Sequence, residues 1–362
     1  MTKILKFDIQ LKRKDFFLNV KAEIENGITG IYGPSGHGKT SLLNTIAGLI
    51  KPDSGYIELN GVKVFDSQSR INTPVKKRRV GYVFQDIRLF PHLSINQNLK
   101  YGLQKEIIGN LSFNEVVDIL DIKNLLNKKP SECSGGEKQR IAIGRALLSG
   151  AQILIMDEPF SAVDVNLRNN IIPFLNAINT RFQIPMLIVS HDLPDLMSLS
   201  NNLLLLKNGK VKAMGKFQDL VLDESNVDIM KGAGLYNTFD LSVFATLPAQ
   251  NMILLKSDFN DFQIQALCQP LNGNIEIGKR KRILIRPEDI SISLQPVPQI
   301  SLRNQIEGTI VKIFSKDGLS FCLVNSGEKV LVEITEASLK NMDLEIGKKV
   351  FCLFKSAALK VF

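Results

Sequence analysis

Gly33-Pro34-Ser35-Gly36-His37-Gly38-Lys39-Thr40 fits the spacing G-x-x-x-x-G-K-[ST]. An apolar run, Gly30-Ile31-Tyr32, enters it from the turn-like Asn26-Gly27. Leu42, Leu43, Ile46, Ala47 and Ile50 follow on one side of a helical period. The stretch therefore stands between a strand and a helix. Glycines there let the backbone turn its N–H groups inward around an anion. A helix starting near Lys39 adds the positive end of its dipole. Lys39 is placed to reach the β- and γ-phosphates of a nucleotide, and Thr40 to hold Mg²⁺. A Gly-rich turn without a ligand explains neither the strand before it nor the helix after it.

Upstream, Ile4–Leu11 and Phe16–Ile24 alternate as strands around a turn at Lys12-Arg13-Lys14-Asp15. Phe16 or Phe17 offers a face for an adenine ring, with core packing as the competing role. Downstream, Asn60-Gly61 and Asn208-Gly209 mark hairpins. Val80–Phe84 is a buried strand ending at Gln85. From there to Gly150 the pattern is helical, with Ser112 an N-cap and Glu115 in the capping-box position. Ser134-Gly135-Gly136-Glu137 opens another helix.

Ile153-Leu154-Ile155-Met156-Asp157-Glu158 is an apolar strand running into two carboxylates. In an open parallel sheet such a strand end faces the ligand. Asp157 would reach Mg²⁺, directly or through water. Glu158 is then free to act as general base on an attacking water. Pro185–Val189 is a further strand, ending at Ser190-His191-Asp192. Gln85 and His191 share a place just past a strand end, where each could orient the water or sense the γ-phosphate.

The 362 residues suffice for two or three domains, and 44% hydrophobic with 22% charged content describes a chain that buries a core. No apolar run approaches the ~20 residues that span a bilayer. Met1-Thr2-Lys3-Ile4 has no signal-peptide pattern, so the chain is expected to stay in the cytoplasm. Cys133, Cys268, Cys322 and Cys352 lie far apart, which argues against a disulfide framework or zinc site. The net charge of +9 admits nucleic acid, an anionic surface or phosphate ligands. The densest basic run, Lys76-Lys77-Arg78-Arg79, reads as a solvated loop, and no nucleic-acid-binding motif accompanies it.

Gly33–Thr40, Gln85, Ser134–Glu137, Ile153–Glu158, Ser161-Ala162-Val163-Asp164 and His191 stand in the order of an ATP-binding-cassette (ABC) ATPase, and residues 1–232 resemble that family. Cys133 replaces the usual Leu of its signature, and Val163 a usual Leu before Asp164. The resemblance implies an α/β P-loop NTPase domain with a helical subdomain. It implies ATP and Mg²⁺, the latter held by Thr40, Gln85 and Asp157, with Glu158, His191 and Gln85 catalytic. It also implies a head-to-tail homodimer, in which Ser134, Gly135, Gly136 and Glu137 of one copy cover the nucleotide of the other and Asp164 lies in the loop between the sites. The segment after Gln85 resembles that of importers, which meets an integral membrane permease on a separate chain.

After a break around Asp223–Asn237, residues 240–362 read as all-β. Past residue 232 the chain divides into a connecting β segment, 233–296, and a module at 297–362. The second resembles the small molybdopterin-binding-like (Mop/TOBE) barrel, OB-like in fold, and one copy of it is legible. The residues matching that family's oxyanion ligands are Ser301, Arg303, Asn304, Thr335, Ser338, Lys355 and Ser356. A site made only of donors suits a fully ionised tetrahedral dianion such as molybdate, bound as a regulatory ligand. The whole chain thus resembles ATPase subunits of molybdate importers. These lie peripherally at the cytoplasmic face of the cell (inner) membrane, served indirectly by a substrate-binding protein and binding no nucleic acid. Importers of sulfate, tungstate or iron, and a soluble ABC ATPase outside transport, are the alternatives.

Overall fold

Alternation at the start of the chain yields a long antiparallel pair, β1 (Lys3–Arg13) and β2 (Phe16–Glu25), with Leu5, Phe7, Ile9 and Leu11 buried on one face. The computed structural model describes residues 3–13, 16–103, 112–200, 202–230, 235–268, 276–316 and 318–362. Lys14 and Asp15, half of the expected turn, lie outside these. The chain forms two units, Met1–Lys216 and Phe217–Phe362. The division falls between Lys216 and Phe217, ahead of the expected one at 232.

The first unit is built on an 11-stranded sheet. Its further strands are β3 (Ile28–Tyr32), β4 (Ser54–Leu59), β5 (Val62–Asp66), β6 (Ile71–Asn72), β7 (Val80–Val83), β8 (Ile153–Asp157), β9 (Met186–Val189), β10 (Asn202–Lys207) and β11 (Lys210–Lys216), in the order β6-β5-β4-β1-β2-β11-β10-β3-β9-β8-β7. The run β10-β3-β9-β8-β7 is parallel, and β3, β8 and β9 are buried throughout. Ile31 pairs with Val189, Asp157 with Val189, and Val83 with Met156, so these strands end nearly level. The loops that follow them therefore meet along one edge, where a doubly wound sheet binds ligands.

Helix α1 (Lys39–Ala47) packs Leu42, Leu43 and Ile46 into this core. It stops before Ile50, because Gly48 takes a left-handed conformation, φ 84°, and turns the chain out. The insert between β7 and β8 holds α2 (Ile95–Lys100), α3 (Phe113–Ile119) and α4 (Gly135–Leu148). Ser112 caps α3, accepting from the Glu115 N–H. Helices α5 (Val165–Phe182) and α6 (Leu193–Leu199) follow β8 and β9.

The basic run at Lys76–Arg79 is not uniformly solvated. Arg78 is only 3% exposed, and its guanidinium donates to the Thr45, Ile46 and Thr73 carbonyls and to Asn72 Oδ1. The first two are terminal carbonyls of α1, where a cation also meets the negative end of the dipole. A side chain on Gly48 would collide with this guanidinium.

The second unit begins with short helices, α7 (Phe217–Leu222) and α8 (Val227–Met230). Two five-stranded sheets follow. One has the order β14-β13-β12-β15-β21, the other β19-β18-β17-β20-β16 when taken from its far edge. The strands are β12 (Asn237–Leu247), β13 (Met252–Lys256), β14 (Gln263–Leu267), β15 (Arg280–Ile285), β16 (Ser291–Ser293), β17 (Asn304–Lys316), β18 (Leu319–Asn325), β19 (Lys329–Ile334), β20 (Lys349–Phe354) and β21 (Lys360–Val361), with α9 (Glu336–Asn341) after β19. Each sheet repeats the other five strands on, and each takes its last edge strand from the other repeat.

Hydrogen bonds repeat as well. Asn237 pairs through its amide with both backbone groups of Leu331, and Asn304 does the same with Gln265. Val243 pairs with Gly278 and Lys279, and Ile310 with Gly347 and Lys348. The expected connecting segment is thus the first of two copies of the barrel motif, where the sequence showed one. Phe239, Leu255 and Ile264 of the first share a core with Ile310, Val324 and Val332 of the second.

Arg78→Ala leaves the Ile46 carbonyl without its donor and the Thr45 carbonyl with the Gly48 N–H alone. Loss of bonds to a charged group, plus a buried orphan, sets the expected cost to the first unit at about 2–3 kcal/mol. The denaturant midpoint of that unit's transition measures it.

Candidate active site

The loop after β3 has the conformation its glycines permit, with φ of 79° at Gly36 and 98° at Gly38. Gly38 is the N-cap of α1, and any side chain there would strike the ring of Phe16. Phe16, not the exposed Phe17, is the aromatic that packs on this loop. His37 Nδ1 accepts from the Asn208 N–H at 3.1 Å, and Gly209 donates to the His37 carbonyl, tying the loop to the β10–β11 turn. Lys39 Nζ donates to the carbonyls of Gly33 and Pro34 at 2.7 and 2.9 Å. Burial lowers the pKa of its ammonium, against the pull of Glu158 and Asp157.

Thr40 Oγ1 donates to Asp157 Oδ2 at 2.7 Å, joining α1 to the end of β8. The other carboxylate oxygen of Asp157 is buried and has no hydrogen-bond partner. Burial pushes this carboxyl up, while the Thr40 bond opposes. A hydroxyl and a carboxylate with a vacant lone-pair side form a donor set of hard oxygens, which fits Mg²⁺.

Glu158 holds φ 51°, left-handed for a residue with a side chain. Strain of this kind persists where surrounding bonds fix it. The Glu158 N–H donates to Val189 O at 2.9 Å, and its carbonyl accepts from Gln139 Nε2 and Ser161 Oγ. Its carboxylate meets His191 Nδ1 at 2.8 Å and accepts from the His191 N–H at 3.3 Å. Thr40, Asp157, Glu158 and His191 therefore converge.

Gln85 stays exposed in the turn after β7 and, among the described residues, makes no hydrogen bond. The turn beyond it is strained, with Ile87 at φ 64° and Arg88 at φ 32°. Arg145 of α4 holds it by donating to the Arg88 carbonyl at 2.8 Å. Buried Asn98 ties the next turn, accepting from the Phe90 N–H and donating to the Phe90, Leu93 and Ser94 carbonyls. Nothing in the sequence pattern singles out Arg145 or Asn98, since each makes its hydrogen bonds only with backbone atoms, and Arg145 with those of a loop it does not flank.

Ser134 caps α4 through a reciprocal box with Glu137, at 2.6 and 3.3 Å. These bonds hold the Glu137 carboxyl below its usual range. Gly135 and Gly136 face Ala162, and no hydrogen bond joins Ser134–Glu137 to Gly33–Thr40 among the described residues. Asp164 caps α5, accepting from the Leu167 N–H at 3.0 Å.

The residues matched to oxyanion ligands fall into separate groups. Asn304 and Ser356 are buried neighbours, 3.5 Å apart, at the start of β17 and after β20, with Arg303 and Lys355 exposed beside them in sequence. The amide oxygen of Asn304 is already taken by the Gln265 N–H. Ser301 is exposed ahead of β17. Thr335 caps α9 and donates to Ser338 Oγ at 3.0 Å. They follow Ile334, which pairs with Ser320, itself opposite Ser315 near the far end of β17. The two groups thus sit at opposite ends of one strand.

Comparison with known proteins agrees with this division. Residues 17–161 match the ABC transporter family and residues 300–361, the second barrel copy, the TOBE domain. Molybdenum import ATP-binding proteins are similar over nearly the whole chain. The one from Haemophilus ducreyi is 38% identical, covering 92% of this chain and 93% of its own. That from Paramagnetospirillum magneticum is 35% identical over 98% of both. A dimeric ATP-binding cassette, solved in a post-hydrolysis state with ADP and Pi, is 28% identical with a TM-score of 0.51, covering 59% of this chain and 98% of its own. With that length of likeness, and the strand-end cluster its cassette carries, the chain belongs to the ABC transporter ATPases of the molybdenum import ATP-binding family.

Proposed function

We propose that this chain hydrolyses ATP to drive molybdate import through separate permease subunits. The observation that carries the chemistry is the Glu158–His191 pair set beside Thr40 and Asp157. The cargo rests on full-length likeness to molybdenum import proteins. No helix among the described residues is long and apolar enough to cross a membrane. In this reading the chain works peripherally at the cytoplasmic face of the inner membrane, with a substrate-binding protein feeding the permease.

Phosphate oxygens draw Lys39 off the Gly33 and Pro34 carbonyls, exchanging neutral acceptors for charged ones. Thr40 and Asp157, with Gln85, would hold Mg²⁺, which when bound would supply charge neutralisation at the phosphates. Glu158 takes the proton of the attacking water. His191 holds the Glu158 carboxylate in place through Nδ1 and, when the γ-phosphate is present, orients the water with Gln85. Phe16, which packs against Gly38 of the phosphate loop, is in this reading the aromatic that meets adenine. Ser134–Glu137 of a second copy close over the nucleotide, with Asp164 in the adjoining loop. The exposed N-terminus of α4 fits that role, since within one chain it makes no hydrogen bond to the phosphate loop among the described residues.

The second unit is read as an oxyanion sensor. Arg303 and Lys355 supply charge, and Ser301 and Ser356 hydroxyl donors, beside the Asn304 clamp. Thr335 and Ser338, lying at the other end of β17, complete such a donor set from a second copy. Phosphate, protonated near neutral pH, would turn an O–H toward donors at a cost of ~1–3 kcal/mol. The site therefore favours molybdate, tungstate or sulfate.

Glu158→Gln is expected to bind Mg·ATP normally and to lose about 10²–10⁴-fold in kcat. Turnover near wild type in a phosphate-release assay would remove Glu158 as base. In calorimetry, the dimeric full-length chain is expected to bind molybdate, with Lys355→Ala weakening it at least about tenfold. No heat from the wild-type dimer would overturn the sensor.

A further inference from the structure

Arg168 lies one turn into α5, and its guanidinium points back under the loops that carry Glu158 and His191. One arm, Nη2, donates to the carbonyls of Phe160 at 3.0 Å and Val163 at 3.3 Å. These residues follow Glu158 and precede Asp164, and both are buried. The other arm, Nη1, pairs with Asp195 at 3.0 and 3.3 Å and lies 3.6 Å from Asp192. Asp192 directly follows His191 and caps α6, accepting from the Asp195 N–H.

A single rigid fork therefore spans two backbone segments. One leaves the left-handed turn of Glu158, and the other leaves His191. The 2.8 Å contact between Glu158 and His191 closes the far side of the same ring. Burial, aided by the Asp192 charge, pushes the Asp195 carboxyl up to about 6 against the pull of Arg168. A buried ion pair that works against its own desolvation adds little net stability. Its strength lies in geometry, because a planar guanidinium fixes two directions at once and an ammonium does not.

We propose that Arg168 is a positioning residue for hydrolysis, setting the spacing and orientation of the Glu158 and His191 loops without touching the nucleotide. The proposal rests on the assignment of Glu158 and His191 above. It also places Asp164, whose loop runs between the Val163 carbonyl and α5, under the same control.

The test compares Arg168→Met with Arg168→Met/Asp195→Leu in the full-length chain. The double variant replaces the ion pair by apolar contact and is expected to regain most of the Tm lost in Arg168→Met. The Phe160 and Val163 carbonyls still lack the guanidinium, so kcat for Mg·ATP stays at least about tenfold low while KM changes less than about threefold. Arg168→Lys, which keeps the charge but not the fork, is expected to stay nearer Met than wild type. Imidazole ¹⁵N spectra, simple in a chain with 3 histidines, should show the His191 Nδ1 signal displaced in the double variant. A double variant that recovers kcat together with Tm, or a His191 signal that does not move, overturns the proposal. Glu158→Gln in parallel reports on the base alone: turnover there counts against the base, and the His191 spectrum still decides Arg168.

Discussion

The hydrogen bond from Thr40 to Asp157 is the contact on which the rest of the cassette depends. It joins the first turn of the helix after β3 to the end of β8, two strands apart in a parallel sheet. Asp157 is nearly sealed from water, so its charge is tolerable only with partners on both oxygens. One oxygen has Thr40 and the other has none. Lys39 beside it rests on the Gly33 and Pro34 carbonyls, neutral acceptors that charged phosphate oxygens can replace.

The phosphate-loop and carboxylate motifs were legible because the spacing of each follows from the task proposed for it. A phosphate cradle needs glycines at fixed offsets, and a strand running into Asp157-Glu158 needs four apolar residues before it. Hairpins at Asn60-Gly61 and Asn208-Gly209 formed where those dipeptides stand. Residues that hold loops from a distance were not legible. Arg78 read as one basic residue in a run, yet it caps α1; Arg168 and Arg145 act on carbonyls, which carry no sequence identity. Ile50 kept the helical period, but Gly48 ended the helix first.

The repeat in the second unit was hidden for a related reason. Asn237 and Asn304 make the same two bonds, but their flanks, Tyr236 and Arg303, share no chemistry. Backbone pairing preserves a fold through such divergence, because hydrogen-bonded ladders ask only for alternation and a bulge in the right place. Exchange of the edge strands β16 and β21 binds the repeats into one core, so neither copy can open without unpairing the other. Placing Thr335 and Ser338 at the far end of β17 from Asn304 follows from the same register. Motifs that sound like one ligand set along the chain become two.

The unfilled oxygen of Asp157 is the proposed seat of the nucleotide's cation. Mn²⁺ electron paramagnetic resonance on the full-length chain tests this most directly. With ATP present, one tightly bound Mn²⁺ per chain is predicted, with binding lost in Asp157→Asn, which keeps the shape of the side chain but not its charge. Mn²⁺ that binds Asp157→Asn as tightly as wild type would contradict it.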